Sequence, residues 1–144
     1  MFVSSITHTM ITFQDIDKYI TRAKIAAPAV DFEALKFFVS EGRLYKSEAI
    51  ILSGSYSRAK SITLSSAMSK QRGFAVFLHE LGHHLTWLQF GDFIDTFSEK
   101  EHELYADMFA LEMAQAIGFD YERFIERKVG MVPGFYSSKL PALL

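Results

Sequence analysis

The sequence predicts an α+β domain, mostly helical, with a small β-sheet beside one long central helix. Three observations carry that expectation. Apolar residues recur at helical spacing in two long segments, about 71–90 and 98–117, closed by Gly91 and Gly118. Two short runs, Ala49-Ile50-Ile51-Leu52 and Ser61-Ile62-Thr63-Leu64-Ser65, read as strands. The 144 residues are 49% hydrophobic and include 14 Phe, suiting a single domain over 1–144 that buries about 68–70% of its unfolded surface.

Each element has a local reason. Thr12-Phe13-Gln14-Asp15 has the form of a helix start, and Ile16, Tyr19, Ile20 and Ala23 follow at helical spacing until Pro28 stops the helix. Asp31 is placed to cap a second helix with Phe32, Leu35, Phe38 and Val39 on its apolar side and Gly42 past its end. Between the two strands, Ser53-Gly54-Ser55-Tyr56-Ser57-Arg58 reads as a turn-rich connection. Tyr121 to Lys128 suits one last short helix. The segment from Val129 to Leu144 is apolar but interrupted by Gly130, Pro133, Gly134 and Pro141, so an extended tail is expected over 131–144. Such a tail can pack on the back of the domain or lie across a cleft as a latch.

Composition removes several classes of function. The chain has no cysteine, which excludes disulfides, thiolate metal sites and cysteine nucleophiles. With no basic stretch opening the chain, a cytoplasmic protein is expected. No apolar run approaches the roughly 18 residues of a membrane span. A net charge of −2, with both signs mixed, argues against direct nucleic-acid binding, which calls for a basic patch.

One segment states a chemistry. His79-Glu80-Leu81-Gly82-His83 puts two imidazoles at i and i+4, one turn apart on one helix face, where both can bind a single Zn²⁺. Glu80 between them is placed to take a proton from water at the metal. From average residue usage, the pattern arises by chance in about one chain of this length in a few hundred. A catalytic zinc takes three protein ligands and keeps one open position. The third is expected from the next long helix, where Glu103 and Asp107 are again one turn apart and Ala106, Ala110 and Ala114 share their side. Small residues there allow the two helices to approach until Glu103 reaches the metal. Asp107 can then accept the ring N–H of a ligating histidine and fix its tautomer.

The pair of half-motifs, His79-Glu80-x-x-His83 and Glu103-x-x-Ala106-Asp107-x-Phe109-Ala110, resembles the gluzincin zinc peptidases, and within them the ImmA/IrrE-type peptidases of bacteria and their mobile elements. The likeness spans residues 72–114. It implies a minimal zincin-like metallopeptidase fold, Zn²⁺ held by His79, His83 and Glu103, Glu80 as general base, and Asp107 behind the ligands. It also implies a protein or peptide substrate, with a transcriptional repressor as a typical target. The chain departs from many relatives in showing no helix-turn-helix.

In such peptidases the substrate backbone pairs with a sheet edge above the motif helix; Ile62–Ser65, next before that helix, is the expected edge. Tyr105, His84, His102 and Tyr136 are each candidates for the donor that stabilises the oxyanion. The competing expectation is a catalytically silent zincin-fold module that sequesters a regulatory protein. Bland readings exist for single residues: His84 lies about 100° around the helix from His83 and suits a packed position. Glu99, Glu101 and Glu103 also suit the first turn of any helix by the dipole rule.

Overall fold

The computed structural model describes residues 11–40, 54–57 and 60–125. The order of elements is α1 (Phe13–Ala26), a 3₁₀ turn (Phe32–Ala34), β1 (Lys36–Ser40), β2 (Gly54–Ser57), β3 (Ser61–Ser65), α2 (Lys70–Phe90), a 3₁₀ segment (Gly91–Thr96), α3 (Glu99–Ile117) and α4 (Tyr121–Phe124). Helices outweigh a small mixed sheet, an α+β arrangement. No described helix is long and apolar enough to cross a membrane.

The helix starts follow side-chain chemistry. Thr12 and Asp15 form a capping box on α1: Asp15 N–H donates to Thr12 Oγ1 at 3.3 Å and Thr12 N–H to Asp15 Oδ2 at 2.8 Å. Ser98 and Glu101 do the same on α3, at 3.1 and 2.8 Å. Ser69 caps α2 through Arg72 N–H at 3.2 Å. Gly118 ends α3 in the left-handed region (φ 71°), which a side chain would resist.

Helix α2 is the axis of the fold. Phe74 to Leu78 are all buried, so no side of that stretch faces water, and the sheet, α1, α3 and α4 all pack on α2. Ile62 and Leu64 of β3 and Ile16, Tyr19 and Ala23 of α1 complete the core with Phe109 and Met113 of α3. Gly82 marks a close approach of α2 to α3. A Cβ there would collide with the Ala106 carbonyl and come within 3.0 Å of the Ala106 Cα. Ala106, Ala110 and Ala114 are fully buried along this contact.

Four expectations are corrected. The helix expected from Asp31 is only the 3₁₀ turn Phe32–Ala34, capped by Asp31 (Glu33 N–H to Asp31 Oδ1, 3.2 Å), and Lys36–Ser40 is a strand. The run 35–39 fits either period by apolarity alone. Parallel pairing with β3 decides it, turning Phe37 and Val39 onto the core and leaving Phe38 half-exposed. The connection read at 53–58 contains strand β2, antiparallel to β3, which polarity concealed because backbone pairing needs no apolar side chain. Strand β3 is not an edge: the order is β1-β3-β2, so Ile62–Ser65 lies in the middle. The helix expected over 121–128 stops at Phe124, where Ile125 turns extended, and residues 126–128 lie outside the described residues. The strand expected at 49–52, Gly42, and the tail 131–144 lie outside the described residues.

Candidate metal centre

The antiparallel contact of α2 with α3 brings three donor side chains together. His79 and His83 stand one turn apart on α2, with ring centroids 4.8 Å apart and planes at 88°. Glu103, from the first turns of α3, spans them: Oε2 lies 2.8 Å from His79 Nε2 and Oε1 3.4 Å from His83 Nε2. One ligand atom from each residue falls within 4.8 Å of the others. The separations suit a common ion, since two ligands at about 2.0–2.1 Å around a tetrahedral zinc stand about 3.3 Å apart. Two imidazole nitrogens and a carboxylate are also donors that zinc accepts. The side chains are 13% (His79), 19% (His83) and 29% (Glu103) exposed, so the cluster is partly accessible to solvent.

Glu101 and Glu103, both near the start of α3, separate by role. Glu101 turns back to cap its own helix, whereas Glu103, two residues on, faces the imidazoles. Asp107, one turn further, places Oδ1 2.8 Å from His79 Nδ1. His79 therefore has carboxylates at both nitrogens, Asp107 behind and Glu103 in front. With Nδ1–H donated to Asp107, the Nε2 lone pair points into the cluster. Tyr121 donates its hydroxyl to the same Asp107 oxygen and lies 3.3 Å from His79 Nδ1.

Electrostatics follow from this crowding. Burial alone would push the His79 imidazole down, but hydrogen bonds to Asp107 and Glu103 overcome it and hold His79 well above the usual imidazole range. Burial also acts upward on Glu103, and there the two imidazoles win and keep the carboxyl well below its usual range. Glu80 is different. It is buried, and burial pushes its carboxyl up, His79 and His83 pulling the other way and Glu103 and Asp107 adding to the push.

The structure thus brings together His79, Glu80, His83, Glu103 and Asp107, all singled out in the sequence. The oxyanion candidates separate. His84 is buried, stacked 6.4 Å from Trp87, and its imidazole is held down by burial and by Lys60. His102 and Tyr105 pack on Phe97 at 5.7 and 5.2 Å. Tyr136 lies outside the described residues. Tyr121 was missed as a site residue. Its sequence signal is slight, a tyrosine opening a four-residue helix after Gly118, and only its burial reveals that the hydroxyl needs a partner.

Comparison with protein-family models, curated proteins and solved structures finds no match to this chain.

Proposed function

We propose that this chain is a zinc-dependent endopeptidase of the gluzincin type, like the ImmA/IrrE peptidases, acting on a protein or peptide such as a transcriptional repressor. One observation carries the reading: Glu103, remote in sequence from the histidine pair, spans both imidazoles while Asp107 holds the far side of His79. A structural zinc is usually closed by four protein ligands. Among the described residues the cluster has three donors, His79, His83 and Glu103, each partly exposed.

His79, His83 and Glu103 would hold the ion. A zinc so held supplies a Lewis acid and lowers the pKa of water at its open position. The rest falls to the chain's own groups. The Glu80 carboxylate takes a proton as water oxygen adds to the scissile carbonyl carbon, then delivers a proton to the nitrogen as the C–N bond breaks. Its burial suits this, because a carboxyl raised from its ordinary range is a better base near neutrality. Asp107 keeps Nδ1 of His79 protonated and the ring oriented. The substrate strand adds to β2, since β3 is central and β2 packs on α2. A cytoplasmic site of action fits a chain without cysteine.

Metal analysis of protein purified without added metal tests this, on wild type and Glu103→Ala together. Near-stoichiometric zinc in the first and a large loss in the second are expected. A wild type that takes up no zinc even on reconstitution ends the peptidase reading.

A further inference from the structure

Tyr121 reaches the metal cluster from an element that contributes nothing else to it. Past α3, Gly118 turns the chain in the left-handed conformation, and Phe119 N–H returns to the Ala114 carbonyl at 2.9 Å. The short α4 then packs on both α2 and α3. Aromatic contacts pin this segment: Phe119 meets Phe74 edge-on at 4.8 Å and stacks with Phe124 at 5.7 Å, and Arg22 lies over Phe119 at 5.3 Å. Tyr121 is 1% exposed, so its ring is fixed by packing and its hydroxyl is held where it points.

Its target is Asp107 Oδ1, the oxygen that also faces His79 Nδ1 at 2.8 Å, and the hydroxyl lies 3.3 Å from that same nitrogen. Tyrosine, aspartate and histidine therefore meet at one carboxylate oxygen. A phenylalanine would fill the same space without the hydroxyl, so core packing does not call for the oxygen. What it adds is a donor on Asp107 Oδ1 beside His79 Nδ1. Two donors on one oxygen restrict the carboxylate's rotation and draw off part of its charge.

We infer that Tyr121 is a positioning residue of the metal centre: it sets how Asp107 is presented to His79, and through that pair how firmly His79 Nε2 ligates a divalent cation. The inference rests on the metal-centre reading above and assigns its third layer to α4, which contributes no ligand. Groups directly behind ligating histidines typically change metal affinity 10–100-fold when removed. Tyr121 acts one step further back, so about tenfold is expected.

The test is a double-mutant cycle on the full chain: wild type, Tyr121→Phe, Asp107→Ala and the double variant. Zn²⁺ affinity is measured by competition with a chelator, and the visible spectrum is recorded with Co²⁺ in place of Zn²⁺. Tyr121→Phe should weaken Zn²⁺ binding about tenfold and alter the Co²⁺ band positions or intensities, while adding less than twofold in the Asp107→Ala background. An equal loss in both backgrounds means that the hydroxyl serves general stability, and overturns the inference. So does an unchanged affinity with an unchanged Co²⁺ spectrum. Should Asp107→Ala not fold, the Co²⁺ spectrum of Tyr121→Phe decides alone, a wild-type spectrum counting against it. A wild type that binds neither metal overturns the metal-centre reading and this inference together. A wild type that binds, beside an unaffected Tyr121→Phe, removes only the inference.

Discussion

Glu80 is buried, with the charges of His79, His83, Glu103 and Asp107 all acting on its carboxyl, an expensive position for a charge. Its neighbours His79 and His83 face Glu103, and the proposed mechanism leaves proton transfer to Glu80. Glu80→Gln preserves shape and removes the base. Zinc content should stay at the wild-type level while peptide cleavage falls about 10²–10⁴-fold, the usual share of a general base. Zinc titration beside a cleavage assay checks both halves. A variant that keeps its biological effect without cleaving would favour a sequestering module. At this scale the motif was readable because i and i+4 spacing alone places His79 and His83 together. Tyr121 was not, because nothing local to residues 118–124 says that its ring is buried against α3.

At the scale of elements, the cluster of His79, His83 and Glu103 is a product of how closely α2 and α3 pack. The contact is backbone against side-chain-free backbone at Gly82 and Ala106, flanked by Thr86, whose hydroxyl donates to the Gly82 carbonyl at 2.7 Å. Gly82→Ala gains helix propensity, by up to about 1 kcal/mol. The added methyl must nevertheless push away a carbonyl rather than a flexible side chain, and overpacking of that kind typically costs 1–3 kcal/mol. The expected result is a lower unfolding midpoint, and a Zn²⁺ affinity lost disproportionately as Glu103 is moved off the imidazoles. A variant as stable as wild type, with unchanged Zn²⁺ affinity, would show that the close approach is not needed. Strand assignment was the weak point of the sequence at this scale. Leu35-Lys36-Phe37-Phe38-Val39 suits both periods, and β2 is polar and glycine-containing, so in each case the partner strand β3 decides.

Across the whole molecule, Asp15 ties the first helix to the central one. Its Oδ2 accepts from Thr12 N–H at 2.8 Å, Thr12 Oγ1 at 3.0 Å and Lys70 Nζ at 2.6 Å, and Tyr19 OH donates to the Lys70 carbonyl at 2.7 Å. Burial acts to raise the Asp15 carboxyl, but the Lys70 and Thr12 donors outweigh it and lower it below the ordinary carboxylate value. A carboxylate lowered on folding adds stability above its unfolded pKa, about 3.9, and that contribution disappears as pH falls through the folded value. Asp15→Asn should therefore unfold more easily than wild type at neutral pH, by about 1 kcal/mol as for a lost cap. The gap should close below about pH 4. Denaturant titrations at pH 7 and pH 3 check the sign; a gap that widens in acid would refute it.

What the sequence determined by itself was whatever rests on short-range periodicity and local chemistry: the long helices α2 and α3, their closing glycines, and the pairing of His79 with His83. Even Glu103 and Asp107 were readable, because a second i, i+4 pair on a small-residue face implies a partner helix. The tertiary structure alone decided the rest. It chose β1 over a helix, placed β3 at the centre of the sheet, and turned Glu101 to a cap and Glu103 to the imidazoles. It also brought Tyr121 to Asp107 across fourteen residues. Each of these depends on which surfaces meet, and that is settled by burying the α2 core, a free energy summed over the whole chain rather than written at any one position.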